Sequence, residues 1–128
     1  MGISAFFAVG FGAFLGALLR WGFGILFNPV LPAMPLGTLA SNLLGGLIIG
    51  MALGVFNQFQ SLPPEIRLFV TTGFCGGLTT FSTFSAETVT LLLRQQYAWA
   101  FTIVSAHLFG SLLMTLAGIG IVRLVLKA

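Results

Sequence analysis

The stretch GGLTTFSTFS, residues 76–85, lies inside an apolar segment long enough to cross a bilayer. It opens with a glycine pair, and seven of the twelve residues 79–90 carry hydroxyl groups, which surround Phe81 and Phe84. Because glycine disfavours a continuous helix, one interpretation is that the segment unwinds at the pair and exposes backbone groups that protein, water or an ion must satisfy. The other is that the two glycines let a neighbouring helix backbone approach closely.

The composition is that of an integral membrane protein. Of 128 residues, 58% are hydrophobic and 5% are charged, and the mean hydropathy is +1.11. A helix needs about 20 apolar residues to cross a bilayer core, and the apolar segments predict spans at about residues 3–27, 36–59, 68–93 and 97–122. We therefore expect a single all-α membrane domain over residues 1–128, with no room for a soluble catalytic domain.

The chain has too few titratable side chains for acid–base catalysis or for a metal site built from side chains. The chain has one His, one Cys and two acidic residues, both Glu, which cannot supply an acid–base pair or a metal cage at plausible spacing. The net charge of +3 is spread without a basic cluster, so nucleic acid is excluded as a partner. The sequence therefore predicts that the protein is not an enzyme.

Positive charges give almost no orientation bias. Lys and Arg normally accumulate in cytoplasmic loops, but four spans would put Arg67, Arg123 and Lys127 on one face and Arg20 and Arg94 on the other. Either insertion machinery or a dominant helix decides the orientation, or the chain inserts both ways up and forms antiparallel homodimers.

Glycine spacing predicts close helix packing. Glycines recur every fourth residue at 12 and 16 in the first span and at 46, 50 and 54 in the second. Small residues at this spacing let helix backbones come into contact within a bilayer. The spacing leaves open whether the contact lies within one chain or between chains.

Polar side chains inside the spans usually face a protein interior or a water-filled path. Arg20 either extends to the headgroups or provides a positive field at a pore mouth. Asn42 offers two amide donors, either to an ion or to another helix. We interpret His107 as a satisfied polar residue that hydrogen-bonds a neighbouring helix.

Helical periodicity sorts the residues after the glycine pair into two strips. Phe81 and Phe84 share a face, with Ser85 and Thr88 beside them. The neighbouring strip contains Thr83, Glu87, Thr90 and Arg94. Hydroxyls can replace the water shell of an ion, and the electropositive edges of phenylalanine rings suit an anion. The alternative for the two rings is ordinary core packing.

The run from Gly76 to Ser85, with Glu87 after it, closely resembles the signature of the small fluoride channels known as the Fluc or CrcB family. Three further runs fit the family pattern in the expected order: LRW at residues 19–21, GTLASNL at residues 37–43 and GSLLMT at residues 110–115. Length and the four-span plan agree as well, so the resemblance covers essentially the whole chain.

The resemblance implies an antiparallel, dual-topology homodimer in the inner (plasma) membrane of a prokaryote. Fluoride would leave the cytoplasm by passive electrodiffusion through two pores per dimer. The third helix would be broken near Gly76–Thr80, and the carbonyls of Gly76 and Thr79 from both subunits would bind a central structural Na⁺.

The resemblance also implies which side chains line the fluoride pathway. Phe81 and Phe84 take the places of the pore phenylalanines, and Asn42 takes that of an amide donor. Arg20 corresponds to an arginine near the vestibule. Polar positions near the path are Thr38, Thr83, Ser85 and Ser111. Glu87 keeps an open role, in gating or in a proton relay, because a buried carboxylate is awkward beside an anion.

Two other classes fit less well. A dual-topology small multidrug transporter depends on an embedded glutamate in its first span, and residues 3–27 contain no acid. A structural subunit with glycine-mediated packing would leave the pattern of hydroxyls and phenylalanines without a purpose.

Overall fold

A computed structural model describes residues 2–127 of the chain. The regular elements of this part are all helices, with no β-strand among them, which confirms the all-α prediction. The helices are α1 (Ile3–Phe27), α2 (Leu36–Gln58), α3 (residues 64–78), α4 (Phe81–Leu93) and α5 (Tyr97–Lys127). Helix α3 joins an α-helical turn at Pro64–Leu68, wider π-helical turns at Phe69–Cys75 and a final α-helical turn at Gly76–Leu78.

Three of these helices are long and apolar enough to cross a bilayer, at Ile3–Val30, Leu36–Gln58 and Tyr97–Leu126. The last continues past Val122, where the sequence placed the end of the fourth span. The remaining apolar segment is divided into α3 and α4, and α3 begins at Pro64, before the expected start at residue 68. Proline at the first turn explains this start, since its missing N–H is one that a helix leaves unpaired anyway.

The interruption between α3 and α4 lies at Thr79 and Thr80, after the glycine pair rather than at it. Both threonines have extended backbone angles, with φ −86° and ψ 157° at Thr79 and φ −151° and ψ 116° at Thr80. Gly77 remains helical, and a Cβ there would collide with the carbonyl of Ala13 in α1. The helix is therefore broken near Gly76–Thr80 as predicted, while Gly77 serves the close packing that was the alternative interpretation.

Polar side chains accept hydrogen bonds from free backbone N–H groups at the N-terminal ends of two helices. The side-chain oxygen of Asn28 accepts hydrogen bonds from the backbone N–H groups of Gly37 and Thr38 at 2.7 and 3.2 Å, which satisfies free donors at the start of α2. Thr80 is the N-cap of α4, and its Oγ1 accepts from the backbone N–H of Thr83 at 3.1 Å. The same residue that ends the break therefore starts the next helix.

The glycine pattern of the second span packs α2 against α5 within the chain. A Cβ at Gly46 would lie 2.9 Å from the Ser111 carbonyl oxygen, and one at Gly50 would collide with the carbonyl of Thr115. In the first span, a Cβ at Gly12 would lie 2.5 Å from the Phe69 carbonyl oxygen on α3. Backbone-to-backbone contact of this kind replaces the hydrophobic effect as the source of helix association in lipid.

Candidate ion site at the helix break

The break releases backbone carbonyls from their helical partners. In a continuous helix the Thr80 N–H would pair with the Gly76 carbonyl, but here it donates to Asn42 Oδ1 at 2.7 Å. The Thr83 N–H would likewise pair with the Thr79 carbonyl, but it donates to Thr80 Oγ1. The carbonyls of Gly76 and Thr79, the two residues expected to bind Na⁺, are thus freed from helical hydrogen bonding.

Asn42 of α2 hydrogen-bonds the backbone of the break through both the oxygen and the nitrogen of its side-chain amide. Besides accepting from the Thr80 N–H, it donates through Nδ2 to the Thr80 carbonyl at 3.1 Å. The same Nδ2 lies 2.9 Å from Nδ1 of His107 on α5. The side chain therefore joins three segments, and its polar contacts are to protein groups, as in the helix–helix alternative.

Arg20 closes the end of α3 that precedes the break. Its Nε donates to the Gly77 carbonyl at 3.0 Å, where the helix dipole is negative and a cation is favoured. Arg20 also borders a cavity of about 310 Å³ together with Trp21, Gly24, Ile25, Asn28, Thr38, Thr80 and Thr83. The guanidinium thus lies beside the break, next to this cavity.

Phe81 and Phe84 form an edge-on pair directly after the break. Their ring centroids are 5.6 Å apart and the planes meet at 66°. Phe81 is 79% exposed, whereas Phe84 is half-buried, lies 4.5 Å from the His107 ring and packs against the core around Leu91 and Ile103. The shared face expected from the i, i+3 spacing is present, and core packing also applies to the inner ring.

A second cavity, of about 500 Å³, adjoins the break on the side of the two rings. Its polar lining includes Asn42, Thr79, Thr80, His107 and Ser111, and its apolar lining includes both phenylalanines and the small residues Gly45, Gly46 and Gly76. Thr80 lines both this cavity and the one beside Arg20. The break is thus the wall that the two cavities share.

Comparison with known proteins identifies the family. Residues 7–119 match the family described as "CrcB-like protein, Camphor Resistance (CrcB)". The chain belongs to the CrcB family. Among its curated relatives, a protein of Nitrosospira multiformis named "Fluoride-specific ion channel FluC" is 63% identical over 123 residues, covering 96% of each chain. Proteins of the same name from Cupriavidus taiwanensis and Pseudomonas putida are 56% and 53% identical, covering 97% and 91% of this chain and 98% and 92% of their own.

The remaining predicted site residues of this CrcB-family chain lie in different settings. Thr38 is buried, and its hydroxyl donates to Glu87 Oε2 at 2.6 Å, while Glu87 Oε1 is buried without a partner among residues 2–127. Thr83 lines the cavity beside Arg20, and Ser111 lines the cavity beside the rings. Ser85 is half-buried and borders neither of these two cavities.

Sequence reasoning missed two residues of the site. Thr80 caps α4 and pairs with Asn42 through both backbone groups, and the preference of threonine for helix N-caps was a usable signal. His107 received no role along the path, yet it contacts both Asn42 and Phe84. Nothing in the spacing along one chain could have brought residues 42 and 107 together.

Proposed function

We propose that this protein is a fluoride-specific ion channel through which F⁻ leaves the cytoplasm passively across the inner membrane of a bacterium. Its CrcB-family relatives carry that activity in their names, and ion channels are not enzymes, in agreement with the prediction from composition. The observation that carries the proposal is the shared wall at Thr80, which separates a cavity beside Arg20 from a cavity beside Asn42 and the two rings.

The chemistry around the break suits a small, strongly hydrated anion. Arg20 raises the local concentration of anions at one cavity. Hydroxyl groups near Thr80 can replace water molecules as the ion loses its hydration shell. Phe81 and Phe84 both line the cavity of about 500 Å³, and the electropositive rim of an aromatic ring favours an anion.

A homodimer with two pores is part of the proposal. Phe81 is 79% exposed, and Gly76, which borders the cavity of about 500 Å³, has no described atom closer than 3.8 Å to an added Cβ, which leaves room for a second chain to approach closely. An antiparallel arrangement is supported by the charge distribution, since neither face of the bundle has a clear excess of Lys and Arg. Each subunit would then complete the aromatic wall of its partner's path.

A structural Na⁺ fits the freed carbonyls at the centre of such a dimer. Gly76 and Thr79 of each subunit would hold it through main-chain oxygens, as interrupted membrane helices do for Na⁺. The ion would neutralise the negative ends of the two interrupted helices and rigidify their junction.

Liposomes loaded with potassium fluoride and carrying the purified protein test the function directly. With a potassium ionophore present to balance charge, we expect rapid fluoride release and no chloride release from matched chloride-loaded vesicles. Release no faster than from protein-free liposomes, or equal release of the two anions, would contradict a fluoride-specific channel.

Replacing Phe81 with isoleucine is expected to slow fluoride release by roughly tenfold, because an aliphatic side chain has no electropositive edge to meet the ion. Phe101→Ile is the matched control: Phe101 is 74% exposed, against 79% for Phe81, but it lies on α5 away from both cavities at the break. Initial release rates at equal protein loading are the measurement. Equal rates in the two variants would remove the Phe81 ring from the pathway.

A further inference from the structure

His107, the only histidine of the chain, is 4% exposed, and its Nε2 has no hydrogen-bond partner among residues 2–127. Buried polar atoms are nearly always paired, so an unpaired ring nitrogen in a membrane span needs an explanation. The hydrogen bonds around Asn42 determine whether this nitrogen is an N–H donor or an unprotonated acceptor.

The orientation of the Asn42 amide is fixed twice by the backbone of Thr80. The Thr80 N–H can only donate, so the atom 2.7 Å from it must be the amide oxygen. The Thr80 carbonyl can only accept, so the atom 3.1 Å from it must be the amide nitrogen. No flip of the amide satisfies both contacts.

This orientation determines the tautomer of His107. The second N–H of the Asn42 amide points to His107 Nδ1 at 2.9 Å, and a donor there requires Nδ1 to be an acceptor without a proton. A neutral imidazole whose Nδ1 accepts carries its proton on Nε2. The unpaired group is therefore an N–H donor.

The same bonds leave Asn42 with no spare donor, because one amide N–H serves Thr80 and the other serves His107. An anion at the break would have to break one of these contacts to use Asn42. The Nε2–H of His107 is instead a donor that no group of the described residues accepts from, on a side chain that lines the same cavity of about 500 Å³ as Phe81 and Phe84.

We propose that the Nε2–H of His107 is a fluoride-binding donor of the pathway, which Asn42 holds ready by fixing the tautomer. The inference rests on the proposed fluoride channel and goes beyond it, since it assigns to His107 a contact with the ion. Nε2 is covered, so the ion reaches it only when a neighbouring side chain moves. The half-buried Phe84 ring lies 4.5 Å from the imidazole, centroid to centroid, and borders the same cavity, so the proposal assigns this movement to Phe84.

Because the chain has a single histidine, ring-¹⁵N labelling of the tag-free protein gives the signals of His107 alone. We expect a neutral ring with its proton on Nε2, and a shift of the Nε2–H resonance on adding sodium fluoride but not on adding equal sodium chloride. An Nδ1–H tautomer or an imidazolium would overturn the proposal. An Nε2–H resonance that fluoride leaves unchanged would also overturn it.

Two substitutions test the donor at Nε2 and the acceptor at Nδ1 separately. In His107→Gln the amide nitrogen reaches the place of Nε2 and keeps a donor there, whereas in His107→Asn the amide oxygen takes the place of Nδ1 and keeps only the acceptor for Asn42. We expect fluoride release at least about tenfold slower in His107→Asn than in His107→Gln. The reverse order would make His107 a positioning residue for Asn42, and equal loss would reduce it to packing against Phe84; both overturn the proposal.

Failure of the inference is distinguishable from failure of the proposed function. If the fluoride channel is correct and the His107 donor is not, wild-type liposomes still release fluoride while the resonance or the order of the two variants disagrees. If wild-type liposomes release no fluoride, the channel itself is overturned and the ion contact with it.

Discussion

Replacing Asn42 with aspartate is expected to slow fluoride release by at least about a hundredfold. The change keeps the size of the side chain and an oxygen to accept from the Thr80 N–H, but it removes both donors, those to the Thr80 carbonyl and to His107 Nδ1. Each buried acceptor left unpaired costs about 1–3 kcal/mol, and each 1.4 kcal/mol is a factor of about ten. Release rates from liposomes give the size of the effect.

Asn57→Asp is the matched control, because Asn57 is exposed near the end of the same helix and undergoes the same chemical change. We expect it to leave fluoride release within about twofold of wild type. A thermal melt of each variant in detergent separates loss of fold from loss of the path. Normal release from the Asn42 variant would mean that the break needs no hydrogen bonds from α2.

The sequence predicted the membrane bundle because the length of an apolar run is a local property, whereas the glycine pair left two interpretations open and the family resemblance implied the break. Apolar run lengths set the spans, and the glycine pair with its following hydroxyls marked the weak point of the third. The position of the opening, at Thr79 and Thr80, was not predictable locally. It depends on Asn42, which takes the Thr80 N–H away from the helix and comes from a different span.

The candidate site was predicted only where its residues are close together in the sequence. Periodicity alone placed Phe81 and Phe84 on one face, and the rings do meet. The pairing of Thr38 with Glu87, and of Asn42 with His107, joins residues far apart in sequence, so spacing gave no sign of either. For Arg20 the sequence left the headgroups and a pore mouth as alternatives, and its bond to the Gly77 carbonyl depends on how α1 crosses α3.

Gly50→Ala is expected to destabilise the bundle strongly, by at least about 2 kcal/mol. Gly50 is buried where α2 crosses α5, and an added Cβ would collide with the carbonyl oxygen of Thr115 and lie 2.9 Å from its carbonyl carbon. These are backbone atoms, so no rotamer change relieves the overlap and the two helices must move apart. Thermal melts in detergent should show a fall in melting temperature of roughly 5 °C or more.

Gly10→Ala makes the same change on α1, where no described residue lies within 4 Å of the added Cβ. Alanine favours a helix over glycine by about 1 kcal/mol, so this variant should melt at the wild-type temperature or above it. Separation of α2 from α5 would also pull Asn42 away from His107, because these two helices carry them. Gly50→Ala should therefore lose fluoride release as well as stability. A Gly50→Ala variant that melts at a lower temperature than wild type but releases fluoride normally would contradict this expectation. It would show that the Asn42–His107 contact tolerates movement of the two helices.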